Sequence, residues 1–187
     1  MIKVLIIDLS PTKNSLWKNE FVYPITKLIK NISNYTIIHF TDLKKTNLET
    51  FEKIILSGSP LNDFKAINKI ELFHWIKDTN KPILGICAGF QIINKIFEEK
   101  LNLKKLQEIG LIEIKIEKKN ILFSNNLKVY CLHNKGISKN QKIENFEILA
   151  TSKICIEAIK HKKKDIYGVL FHPEVSNNEI ILNFIKN

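Results

Sequence analysis

Cys87 stands between two glycines in KPILGICAGFQII, residues 81–93, where one apolar run ends and another begins. Strand, Gly-x-Cys-x-Gly and helix is the pattern of a nucleophile elbow, a sharp turn that holds a reactive side chain in a strained conformation. Gly85 and Gly89 lack Cβ atoms, so strand and helix can pass close to each other. The sulfur of Cys87 would then project above the C-terminal edge of a sheet, where α/β proteins bind ligands. It would also sit at a helix N-terminus, whose free N–H groups and dipole favour the thiolate. The N–H of Ala88 points at the same spot and could hold an oxyanion. A thiol nucleophile needs a base and a group to orient it. GVLFHPEV, 168–175, supplies both: His172 follows an apolar run, and Glu174 lies two residues on across the stiff Pro173. A second oxyanion donor is expected from the tight turn SGSP, 57–60, which also follows an apolar run.

The elements that must position these residues follow from periodicity. Buried-strand patterns occupy 2–8, 35–40, 51–60 and 82–87, the third ending in the Gly-Ser-Pro turn. Helical spacing runs over 14–32, 66–80 and 88–100, with Pro24 kinking the first stretch or starting its helix proper. This alternation predicts an α/β fold of flavodoxin-like kind, an open, mainly parallel sheet with helices on both faces. After residue 110 the style changes to short strands at 111–120, 127–136, 146–153, 154–161 and 165–175, then a terminal helix over 177–187. They are read as a small antiparallel extension, with a lysine-rich hairpin turn between the last two strands. No linker or internal repeat interrupts the chain, and residues 1–187 are read as a single domain.

Composition narrows the function classes. The chain has 187 residues, 44% hydrophobic and 26% charged, which is globular. No run of about 18 uncharged apolar residues is present, so no membrane contact is expected. MIKVLIIDLS is too short for a signal peptide, and the expected location is cytoplasmic. The net charge of +10 is spread over scattered lysines rather than gathered with aromatics on one element, which speaks against nucleic-acid binding. Cys87, Cys131 and Cys155 form no CxxC pair, so neither a zinc site nor a disulfide framework is signalled. Cys131 and Cys155 are read as packing residues and His161, in the HKKK turn, as solvated.

Taken together and in order, LSGSP, GICAGFQ and FHPEV resemble the motifs of the class I (triad) glutamine amidotransferases. The resemblance covers nearly the whole chain. It implies that Cys87 attacks the side-chain amide of L-glutamine, that His172 moves the proton and that Glu174 orients His172. The thioester would be hydrolysed to glutamate. The N–H groups of Ala88 and Ser59 would stabilise the oxyanion, with Ser59 standing where the family has glycine. Gln91 and Gly58 match positions lining the substrate pocket, and LHNKG, 132–136, matches a substrate-contacting loop that includes His133 and Asn134. No metal or organic cofactor is implied in this chain; ATP and Mg would belong to a partner synthetase that receives the ammonia. FEILATSKICIEAIKHKKKDIYGVLFHPEV is most similar to the free-standing glutaminase subunit of archaeal-type GMP synthases, and anthranilate synthase component II is also similar.

Alternatives stay open on the residues themselves. An α/β-hydrolase shares the elbow, but its acid precedes the histidine in the chain, whereas Glu174 follows His172. A glutamine-binding regulatory subunit without turnover, or a glutaminase serving another acceptor, would carry the same motifs.

Overall fold

The structure is a computed structural model that describes residues 1–98 and 103–187. Its strands are β1 (Ile2–Asp8), β2 (Ser33–His39), β3 (Lys53–Leu56), β4 (Ile83–Ile86), β5 (Lys104–Ile116), β6 (Leu127–Gly136), β7 (Phe146–Thr151), β8 (Ile156–His161) and β9 (Ile166–Val169). The α-helices are α1 (Lys18–Phe21), α2 (Tyr23–Ile29), α3 (Ala88–Phe97) and α4 (Glu179–Lys186). The strands form one sheet in the order β2-β1-β3-β4-β9-β8-β7-β5-β6. The first five pair in parallel, and every later pairing is antiparallel. The parallel half therefore has the flavodoxin strand order, with β9 as its fifth strand.

Side-chain parity builds the two layers. Successive residues of a strand point to opposite faces. Leu5, Ile7, Ile54 and Leu56 accordingly share one core with Phe90 and Ile93 of α3 and with Phe73 and Ile76. Val4, Ile6, Ile55, Leu84 and Ile86 face the other core, with Ile25 and Ile29 of α2 and Ile181 and Phe184 of α4. Both faces of the central strands are dry, which explains their continuous apolar runs.

Three expectations are refined. The helical stretch 14–32 divides into α1 and α2, with Pro24 in the first turn of α2, where its missing N–H costs nothing. The stretch 66–80 folds as a 3-10 helix over Ile67–Lys77 that kinks at Lys69. The antiparallel part is larger than a small extension: β5 begins at Lys104, spans 13 residues and pairs with both β6 and β7. The last two residues of the predicted helix 88–100 lie outside the described residues.

Candidate active site

β4 runs straight into α3, and Cys87 is the joint, at φ 48° and ψ −98°. A non-glycine residue rarely adopts this conformation, and it persists only where the surroundings impose it. They do so from both sides. The Cys87 N–H donates to the Val169 carbonyl of β9 over 2.8 Å, and its carbonyl accepts from the Gln91 N–H over 3.1 Å. A Cβ on Gly85 would fall 2.6 Å from the Gly89 carbonyl carbon, and one on Gly89 would fall 2.6 Å from the Leu56 carbonyl oxygen. Both glycines are thus demanded by contact between β3, β4 and α3.

His172 lies just past β9. Its N–H donates to the Tyr130 carbonyl of β6 over 2.8 Å, and its carbonyl accepts from the Val175 N–H over 3.1 Å. This tight turn folds Glu174 back beside the imidazole. His172 Nδ1–H donates to Glu174 Oε1 over 2.8 Å, and both side chains are buried. Nε2 is left without a hydrogen-bond partner, the face a reacting proton would use. Burial opposes charge on the ring, but the Glu174 carboxylate, and then the Cys87 sulfur, overcome it and hold the His172 pKa well above its ordinary value.

Cys87, Ala88, Ser59, Gln91, His133 and Asn134 line one cavity, together with residues 60–64 and Leu132. The Cys87 Sγ–H points at the Leu132 carbonyl, 3.8 Å away. The Ser59 backbone is outside the left-handed region, so a serine at this turn carries no glycine-type strain. Gly58 is not part of the cavity wall. It lies under His172, where an added Cβ would sit 2.8 Å from Cε1. Gln91 donates from Nε2 to the Lys135 carbonyl over 3.0 Å, which ties α3 to the end of β6.

Two predicted substrate contacts are already engaged. The Asn134 amide donates to the side-chain carbonyl of Asn62. The His133 ring turns away from Cys87: its Nδ1–H donates to the Leu106 carbonyl over 3.1 Å, and Nε2 faces Glu108 and Glu157 at 3.6 Å and 3.7 Å. Burial first, and then Glu157, push the Glu108 carboxyl up to about 7. Burial also raises the Cys131 and Cys155 thiols.

Several residues at the site escaped the sequence reading. Phe21 packs on the His172 ring, centroids 5.5 Å apart. Asn62, at φ 73°, lines the cavity, and the Lys135 ammonium sits 4.0 Å over the ring of Phe64, another wall residue. The one legible signal was Glu157, a charge inside the apolar run ICIEAI. His161 also departs from expectation. It is buried against Phe97, ring centroids 4.4 Å apart, and its Nδ1 accepts from the N–H groups of Lys163 and Lys164.

The family model described as glutamine amidotransferase class-I matches residues 18–187. The chain belongs to the class-I glutamine amidotransferases. It is 36% identical over 178 residues to a subunit of the glutamine-hydrolyzing GMP synthase of Methanocaldococcus jannaschii, covering 89% of this chain and 92% of that one. It is 37% identical over 179 residues to the glutamine-hydrolyzing GMP synthase of Borreliella burgdorferi, covering 90% of this chain but 34% of that longer one. A crystal structure of a GMP synthase subunit, described as putative, from Thermoplasma acidophilum superposes with a TM-score of 0.80 at 25% identity, covering 100% of this chain and 93% of that one.

For a glutamine amidotransferase the cavity at Cys87 is small, about 20 Å³. That is room for about one water molecule. The 59–64 loop and residues 132–134 of β6 form its walls.

Proposed function

We propose that this chain hydrolyses L-glutamine to glutamate and ammonia through Cys87, His172 and Glu174, and that it passes the ammonia to a separate ATP-dependent synthetase of the GMP synthase kind. The observation that carries the reading is the strained Cys87 elbow set beside the buried His172–Glu174 pair. His172 takes the thiol proton as Cys87 Sγ bonds to the amide carbon. The N–H groups of Ala88 and Ser59 hold the oxygen of the tetrahedral intermediate. His172 then hands the proton to the departing ammonia, leaving a thioester. Water adds to the thioester with His172 as base, and glutamate leaves as the thiol re-forms. Gln91 and the backbone of 132–134 shape the pocket, and Gly58 seats the imidazole. ATP and Mg belong to the partner.

The test is glutamate release from L-glutamine by the chain, alone and with the ATP-pyrophosphatase that co-purifies with it from its source. Wild-type protein should release glutamate and Cys87→Ala should not. No release in the presence of the partner overturns the enzymatic reading, and co-purification of a different class of synthetase overturns the GMP assignment.

A further inference from the structure

Behind the wall of the cavity, four side chains from three segments converge: Glu108 of β5, His133 of β6, and Cys155 and Glu157 at the start of β8. Each offers one ligand atom, and these atoms all lie within 4.8 Å of one another. All four residues are at least nine-tenths buried, with Glu108 8%, His133 2%, Cys155 0% and Glu157 0% exposed. No Lys ion-pairs with either carboxylate among the described residues, and the chain contains no arginine.

The orientation of His133 makes this more than a group of acids. A carbonyl can only accept, so the contact with Leu106 fixes the proton on Nδ1. The ring's Nε2 faces two carboxylates, Glu108 Oε2 at 3.6 Å and Glu157 Oε1 at 3.7 Å. Both His133 Nε2 and Glu157 Oε1 are buried without a hydrogen-bond partner. The Ser152 hydroxyl donates to Glu108 Oε2 over 3.0 Å, but two carboxylates meeting in a dry interior still call for positive charge beside them, from a proton or a metal ion. An imidazole that donates one N–H to a backbone carbonyl and turns the other nitrogen inward is also how metal-bound histidines are held.

We propose that Glu108, His133, Cys155 and Glu157 form a buried structural site for a divalent transition-metal ion, Zn²⁺ fitting best. One sulfur, one imidazole nitrogen and two carboxylate oxygens are the donor types zinc takes, and the thiolate disfavours Mg²⁺ and Ca²⁺. Ligand atoms of a tetrahedral zinc lie roughly 3.4 Å apart, so a cluster up to 4.8 Å across contracts by roughly 1.4 Å at its widest on binding. Cys155 loses its proton when it ligates, and the metal's charge compensates the carboxylates. The ion would bind β5, β6 and the start of β8 into one unit. His133 lies between Leu132, whose carbonyl faces Cys87 Sγ, and Asn134 of the cavity wall, so the ion would also set the position of that wall.

The rival occupant is a proton shared between the acids and the ring, and cobalt substitution separates the two. The full chain is dialysed metal-free, titrated with Co²⁺ or Zn²⁺, and followed by visible and near-ultraviolet absorption and by metal analysis. About one ion per chain is expected, with the intense visible bands of four-coordinate Co²⁺ and a thiolate-to-cobalt charge-transfer band. A double variant, Cys87→Ala with Cys131→Ser, keeps Cys155 as the one thiol and should show the same spectrum. Cys155→Ser should lose the charge-transfer band, and His133→Gln should lose most of the affinity. These readouts do not depend on glutaminase activity. Failure of the metal-free chain to take up either ion overturns the proposal, and so does a charge-transfer band that vanishes in the double variant.

Discussion

His172 Nδ1–H donates to Glu174 Oε1 over 2.8 Å across Pro173, in a site where both side chains are buried. Glu174 is the first neighbour that raises the basicity of His172 against the cost of burial. Glu174→Gln keeps the shape and removes the charge, so the imidazolium must deprotonate at lower pH. His172 must be neutral to take the thiol proton, so the acidic limb of the kcat/KM–pH profile for glutamine should move to lower pH, and kcat should fall by roughly 10² to 10⁴. An unmoved acidic limb would show that Glu174 does not set the state of His172.

The same shift has a sign for stability. The folded pKa of His172 lies above the ordinary 6.5. Between those two values the folded chain binds more protons than the unfolded one, so stability falls as pH rises through that window. The contribution is fully present below 6.5 and absent above the raised value. Urea midpoints measured from pH 6 to pH 9 should decline for wild-type protein and decline less for His172→Gln.

An alanine at residue 58 would place its Cβ 2.8 Å from His172 Cε1 and 3.0 Å from Phe21 Cδ1. Neither ring can yield freely between β9 and α1, so the imidazole is displaced. A shift on the order of 1 Å in a reacting group costs up to about 10²-fold in rate. Gly58→Ala should therefore lower kcat by roughly 10- to 100-fold while far-ultraviolet circular dichroism stays native.

Gly89→Ala separates strain from helix propensity. Alanine gains up to about 1 kcal/mol over glycine inside a helix. Its Cβ would meet the Leu56 carbonyl oxygen at 2.6 Å and the Leu56 Cβ at 2.7 Å, both on a central strand. Overpacking against such a wall costs about 1–3 kcal/mol. Net destabilisation is expected in urea unfolding; a stabilised variant would mean that α3 and β3 can separate cheaply.

The Asn134–Asn62 hydrogen bond ties the 59–64 loop to β6 beside the cavity. One such bond contributes about 0.5–1.5 kcal/mol. If it acts as a latch, Asn134→Ala should raise the population of open protein and lower KM for glutamine by roughly two- to tenfold. If Asn134 instead grips the substrate, KM should rise. Steady-state kinetics on this one variant distinguish the two.

Much of the site was legible because its geometry is local. Gly-x-Cys-x-Gly at a strand end encodes its own turn, and two residues joined by a proline keep His172 and Glu174 within reach whatever surrounds them. The parallel half was legible as well, since runs such as IKVLIID and PILGI bury both faces. What periodicity reports is which face of an element is apolar, not what covers it. His161 looked solvated in a lysine-rich turn until Phe97 and Phe146 closed over it. His133 sits beside the cavity in the chain, but the pleat of β6 and the β5 register aim its ring the other way.

The sequence by itself determined the sharp turn at Cys87 and the pairing of His172 with Glu174, because each is set by neighbours a few residues away. Only the tertiary structure decided that the 59–64 loop and β6 wall the cavity, that Gly58 packs against the imidazole, and that Glu108, His133, Cys155 and Glu157 meet. Those contacts join segments tens of residues apart. They depend on strand order and register, which no local pattern of residues specifies.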